Sequence, residues 1–297
     1  MSANHNPSCA VTYEFSGGRL GDNIITYMHA KWISFQYGMP LLYKPFKYSD
    51  HFILDQEEPR YNPNDASRYR RVVRLGRGAT VTNNNDATLY IVPYFPESDS
   101  ERRFFKDGDG NQFPHFFVDW KNPDFRQVIL HVLQPKQTVA LCEVPKDKIT
   151  VAVHVRKGGG YDTDDYMFIQ PLKIPPESFY LEQLQNLCNM FPEQNMHIHL
   201  FTDDRNPEAI ANRFKTFLNQ DRIVFSYRNS GNFHDSNVLE DLFSMLQFDC
   251  LIRPESSFSI IPSLLKDYDL LIHPDNFVKI NNYPYIDRVK ISGKFIP

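Results

Sequence analysis

ITVAVHVRKGGGYDTDD, residues 149–165, joins a largely apolar run to an abrupt cluster of polar and small residues. Ile149 to Val155 reads as a buried strand of a parallel sheet, since such strands lack the strict alternation of a half-exposed one. His154, Arg156 and Lys157 stand where the run ends, Gly158, Gly159 and Gly160 follow, and carboxylates come next. Open α/β sheets place their ligands outside the carboxyl ends of the strands. The stretch therefore predicts a sheet strand with a site at its exit.

The rest of the second half repeats that rhythm. A helix over 177–191 opens after Pro175 and Pro176 and carries Leu181, Leu184, Leu187 and Phe191 at helical spacing. Strand 197–201 leads to helix 207–218, strand 222–225 leads to helix 236–248, and short strands follow at 250–252 and 270–272. Alternating strands and helices predict a parallel, doubly wound sheet. The first half opens as strand–turn–helix: Val11 to Phe15, the glycine-rich SGGRLG from Ser16 to Gly21, then a helix from Ile24 to Tyr37 stopped by Gly38 and Pro40. Leu41 to Tyr43 and Leu89 to Val92 are further strand candidates, and the irregular region between them, 44–86, holds one more near Val72 to Leu75. Residues 104–117 read as a loop with aromatic anchors, 123–133 as a helix and 135–148 as a linker. Two lobes follow from this, 1–145 and 146–297, in keeping with a 297-residue chain too long for one small core.

Hydrophobic residues make up 41% and charged residues 23%, an ordinary globular composition. The net charge is −4, against a general nucleic-acid binder, whose footprint is basic. Lys and Arg number 18 against 17 Asp and Glu in residues 1–148, and 14 against 19 in 149–297. Neither half is a polyelectrolyte, so an anion site must be built locally. Cys9, Cys142, Cys188 and Cys250 show no paired metal spacing, which favours a reduced protein over a disulfide scaffold. The start, MSANHNPSCAVTYEF, lacks a signal-peptide pattern, and no run approaches the roughly 20 apolar residues of a membrane span. The expectation is a cytoplasmic protein with no integral membrane segment.

Four constellations carry candidate chemistry. Arg156 beside flexible glycine backbone suits a diphosphate, which a guanidinium can bind in a bidentate manner; the alternative is a solvated glycine turn. Thr202, Asp203 and Asp204 fall at the exit of strand 197–201 and read as a turn and capping cluster; the weaker alternative is a Mg²⁺ site, which two carboxylates alone do not decide. His197 and His199 share a strand face without a third metal ligand in view, and read as packing or surface residues. In DSNVLEDLFSMLQFDCLIRPESSFSIIPSLL, 235–265, Val238, Leu239, Leu242, Met245 and Leu246 form one helix face. Asp241 sits at its margin, where a partly desolvated carboxylate needs a donor. A guanine edge offers such donors; a neighbouring loop is the alternative. Ser256, Ser257 and Ser259 lie near a helix start, where free N–H groups favour an anion or where a serine simply caps. Gly18, Gly21, Asp22 and Asn23 either shape a cleft wall or form a tight turn and its cap.

Taken in order, these segments resemble the α-1,2/α-1,6/protein O-fucosyltransferase superfamily, most nearly its bacterial α-1,2-fucosyltransferase-like members. GRLGDNIITYMHAKWISFQYG looks like the family's opening G-G-L-G-N-Q segment, VAVHVRKGGGYD like H-x-R-R-G-D, and LFTDD like F-S-D-D. DLFSMLQFDCLIRPESSFSIIPSLL is similar to the run that leads to S-x-S-S-F-S. Residues 44–140 carry no match. The resemblance implies a type-B glycosyltransferase architecture of two Rossmann-like lobes, with an acceptor side in the first and a GDP-sugar donor held by the second. It implies that Arg156 neutralises the diphosphate of GDP-fucose, with Lys157 adding charge, and that His154 and Asp241 read ribose and guanine. Ser256 and Ser257 would hold phosphate oxygens, while Asp203 and Asp204 brace the basic loop and Gly18, Gly21 and Asn23 support the first lobe. The implied reaction inverts the anomeric centre, needs no metal and uses GDP-fucose as co-substrate and a glycan as acceptor. Asp164 falls at the offset of an acid that acts as base in some relatives; Asp162 and Asp165 are rivals. Lys157 and Gly159 depart from the family's second Arg and its Asp, and Ile260, Ile261 and Pro262 replace its Trp-rich tail, so another GDP-sugar, or a silent nucleotide-sugar-binding protein, are the alternatives.

Overall fold

The computed structural model describes residues 9–15, 17–75, 80–84, 86–94, 118–158 and 166–295. The described residues up to Thr138 form one compact unit and those from Val139 a second.

The first unit is built on a parallel sheet ordered β1-β3-β2, from β1 (Ala10–Tyr13), β2 (Arg71–Arg74) and β3 (Thr88–Val92). β1 is wholly buried, whereas β2, rich in arginine, is the exposed edge. The segment predicted as a strand at Leu41–Tyr43 makes only isolated parallel bridges, Leu41 to Val11 and Tyr43 to Arg60. Helix α1 (Leu20–Tyr37) begins earlier than its apolar period suggested, so Gly21 lies in its first turn rather than in the preceding loop. The reason is a capping box: the Asp22 carboxylate accepts from the Arg19 N–H at 3.2 Å and satisfies a donor the helix leaves open. Gly18 is required by close approach, because a Cβ there would overlap the Asp22 side chain. Gly38, at φ 61°, ends the helix in the left-handed conformation. Helix α2 (Pro123–Val132) starts with Pro123 after Asn122, whose side chain accepts from the Phe125 N–H. Phe125 packs edge-on against Trp32 of α1, ring centroids 4.9 Å apart.

The second unit holds a six-stranded sheet, β4 (Ile149–Val155), β5 (Met196–Thr202), β6 (Ile223–Tyr227), β7 (Cys250–Ile252), β8 (Leu270–Ile280) and β9 (Tyr283–Ser292). Its spatial order is β6-β5-β4-β7-β8-β9. Within the unit this is the 3-2-1-4-5-6 order of a doubly wound nucleotide-binding sheet, with the direction of winding reversing between β4 and β7. β4 is buried on both faces. Val151, Val153 and Val155 face Phe179, Leu184 and Leu187 of α3 (Glu177–Met190) and Ile210 and Phe214 of α4 (Pro207–Leu218). Ala152 faces the other layer, with Phe201, Met245, Phe248 and Tyr268. Met245 ends helix α5 (Val238–Met245), and α6 (Ser257–Leu265) follows β7. At the amino end of the sheet, Thr150 N–H and Oγ1 donate to Asp249 Oδ2 at 2.9 and 2.7 Å, fixing β4 against the segment that enters β7.

One expectation is corrected here. The short strand at 270–272 is the root of a long antiparallel hairpin, β8–β9, so the sheet is not parallel throughout. Asn281 and Asn282, both left-handed at φ 50° and 65°, make its two-residue turn, the twist that tight hairpins favour. The helix predicted over 236–248 is also shorter at both ends.

Candidate functional site

Arg156 follows the last residue of β4 and is 8% exposed. Its Nη1 donates to Ser256 Oγ at 3.3 Å, across the point where the sheet's winding reverses. The hydroxyl is a neutral partner: it orients the guanidinium without cancelling its charge. Ser256 is the N-cap residue of α6, yet its side chain makes no capping bond. The first N–H groups of a helix have no partner within it, so this end of α6 presents donors and the positive end of its dipole beside Arg156. Ser257, half-buried, opens the helix, and Ser259 Oγ donates back to the Ser256 carbonyl at 3.3 Å. Of the serines, Ser256 is the one brought to Arg156.

The basic loop after β4 is held by the neighbouring strand. Asp203, just past β5, accepts from the Lys157 N–H at 2.7 Å. Gly158 then takes φ 95°, a conformation few side chains tolerate. The Lys157 ammonium lies 3.9 Å from Glu177 at the start of α3. Asp204 accepts from the Asn206 N–H at 2.7 Å, and Asn206 in turn caps α4 through Ala209. The two aspartates thus divide: one grips the loop of Arg156, the other shapes the turn into α4. Asp162, Asp164, Asp165 and Gly159 lie outside the described residues.

His154 is buried on β4 with its ring edge-on to Phe258 of α6, centroids 5.7 Å apart. Asp241, in the first turn of α5, accepts from Arg228 Nη2 at 2.8 Å and is about one-fifth exposed (19%). Burial pushes its carboxyl up to about 6 even with that guanidinium beside it. Gly18, Gly21 and Asn23 belong to the first unit, where Asn23 Nδ2 donates to the Gly18 carbonyl at 3.4 Å and the group serves the start of α1.

Four further residues at this edge were not singled out from sequence. Arg228 follows β6 as Arg156 follows β4. Arg253 and Glu255 lie between β7 and α6, and His273 lies on β8; Glu255 Oε1 is 3.1 Å from Arg253 Nη1 and 2.8 Å from His273 Nδ1, all three buried. This network stiffens the loop that presents Ser256. The strand-exit rule that found Arg156 also applies to Arg228 and Arg253. His197 and His199 are buried on β5 and share Ser226 of β6, whose Oγ lies 2.7 Å from His197 Nε2 and 2.8 Å from His199 Nδ1. Both rings pack on Phe248, and burial holds the His199 imidazole down to about 4. Among the described residues no group of three or more His, Cys, Asp or Glu is placed to hold a metal ion, and no helix is long and apolar enough to cross a membrane.

No protein-family model matches the chain, and no curated protein sequence matches it significantly. Among solved structures, an Arg-to-Lys mutant of Arabidopsis thaliana FUT1 in complex with GDP aligns with a TM-score of 0.53 at 12% identity, over 91% of this chain and 71% of that one. POFUT1 in complex with GDP-fucose aligns with a TM-score of 0.44 at 11% identity, over 90% and 96%. The fucosyltransferase NodZ from Bradyrhizobium aligns at 0.43 and 11%, over 97% and 99%. The Arabidopsis likeness bears on architecture: the chain has an α/β fold of the type-B glycosyltransferase class.

Proposed function

We propose that the chain is a GDP-sugar-dependent glycosyltransferase that moves fucose from GDP-fucose to a hydroxyl of a glycan or glycoconjugate, inverting the anomeric centre without a metal. The observation that carries this reading is the Arg156–Ser256 pair, a buried guanidinium held against a helix start at the reversal of a doubly wound sheet. Departure of GDP builds negative charge on the diphosphate. A guanidinium and helix N–H groups already aimed there stabilise that charge more in the transition state than in the bound donor. Asp203 keeps Arg156 in place by gripping the next residue's N–H. His154 and Asp241 are assigned to the nucleoside, Lys157 and Ser257 to the phosphates, and Asp164 to the removal of the acceptor proton. The Arabidopsis structure of like fold holds GDP, the nucleotide proposed here. The first unit is assigned to the acceptor and residues 146–297 to the donor.

Incubation with GDP-fucose, with and without a panel of glycan acceptors, tests the reading by GDP release. Acceptor-dependent release supports it. GDP binding with no release from any GDP-sugar across the panel leaves a silent nucleotide-sugar-binding protein, and absence of GDP binding removes the proposal.

A further inference from the structure

Arg228 and Asp241 form a paired donor and acceptor surface that the phosphate chemistry does not use. Arg228 leaves the carboxyl end of β6, and Asp241 stands in the first turn of α5, so both belong to the sheet edge that carries Arg156. One contact joins them, Nη2 to Oδ1 at 2.8 Å. A guanidinium has five N–H donors and a carboxylate about four acceptor positions, so each keeps most of its capacity. Arg228 Nε is buried with no partner among the described residues. The Arg228 backbone is also anchored, since its carbonyl accepts from the buried Asn232 side chain at 2.7 Å. The pair is therefore a positioned row with donors on one side and acceptors on the other.

We infer that Arg228 is a specificity-determining residue that donates to O6 of a guanine base whose N1–H and N2–H groups are accepted by Asp241. The inference rests on the GDP-sugar reading and deepens it. Guanine carries an acceptor next to two donors, the complement of an Arg–Asp row. Adenine presents a donor amino group where O6 would be and an acceptor at N1, so it meets like against like at both positions. Uracil matches at O4 and N3–H but turns O2, an acceptor, toward the carboxylate. A site built for one polar pattern rejects the wrong base strongly, because its own groups are left unpaired.

Titration of the full chain with GDP, IDP and ADP separates the contributions. Wild type is expected to bind GDP and IDP over ADP. Arg228→Met should lower GDP and IDP affinity together by roughly tenfold or more while leaving ADP nearly unchanged, as a charged hydrogen bond to O6 is lost. Arg228→Lys keeps a cation for Asp241 but loses the planar fork, and should also lower the GDP-to-ADP ratio; it serves if the Met variant does not fold. Arg156→Ala should weaken all three ligands alike. If wild type prefers GDP and Arg156→Ala weakens every ligand, yet the Arg228 variants keep the GDP-to-ADP ratio or weaken both equally, Arg228 is structural and the inference fails while the GDP-sugar reading stands. A wild type without preference for GDP overturns both.

Discussion

Arg156 is the residue on which the chemistry turns, and its setting makes its removal selective. Arg156→Ala deletes the buried guanidinium at this strand exit, and GDP affinity is expected to fall by about 2–3 kcal/mol, read by calorimetric titration. Ser256→Ala removes only the orienting bond, so it should cost less in affinity than in turnover. Asp241 adds a dependence on pH. In the free chain its carboxyl titrates at about 6, raised from 3.8, so the folded protein holds the protonated form over a wider range than an exposed Asp would. Donors from a base favour the ionised form, so binding releases a proton at pH values below that point. GDP affinity should rise as pH climbs to about 6 and level above it, by at most about tenfold per unit. Asp241→Asn should flatten that profile; an unchanged profile would remove Asp241 from the base contact.

At the level of elements, the β8–β9 hairpin is the feature whose stability is most local. Its turn places Asn281 and Asn282 in left-handed conformations. Asn282→Val should cost about 1–2 kcal/mol in a denaturant titration, since a β-branched side chain resists positive φ, whereas Asn282→Gly should be neutral or stabilising. The same hairpin shows what the sequence left hidden. The strands β4 and β5 and helices α3 and α4 were legible because each is an apolar period bounded by Pro, Asn or Gly. The far end of β8 and most of β9 mix charged and apolar residues and are exposed, so their period is weak, and pairing with each other rather than burial makes them strands. The start of α1 was misplaced for a related reason: a carboxylate cap, not an apolar residue, decides where it begins. Within the site, Arg156, Asp203 and Ser256 were readable from their places at element ends. The Arg228–Asp241 and Glu255–His273 contacts were not, because they join residues distant in sequence and depend on how β6 meets α5 and β7 meets β8.

For the whole molecule, His199 and His197 contribute to the response to acid. His199 is neutral in the fold, with its imidazole held down to about 4 from 6.5, and it faces His197, Ser226, Phe201 and Phe248. Its contribution is complete above about pH 6.5 and is lost as pH falls through that value toward 4, by up to about 3 kcal/mol. His197 shifts in the same direction. Asp241 works the opposite way, because its protonated form is favoured in the fold as pH falls through about 6. The difference between wild type and His199→Gln is therefore the quantity to measure, as urea midpoints between about pH 7 and pH 5. His199→Gln should lose less stability over that interval than wild type; parallel loss would mean the imidazole does not drive the transition. The central seam of the sheet carries a different consequence. β4 and β7 are joined by a ladder from Val151–Cys250 to Val153–Ile252, by the Thr150–Asp249 bonds at one end and by the longer Arg156–Ser256 bond at the other. The seam works like a book bound along its spine and latched at the fore-edge. A variant that loses the Arg156–Ser256 bond therefore keeps the strand register, which the ladder and the Thr150–Asp249 bonds hold.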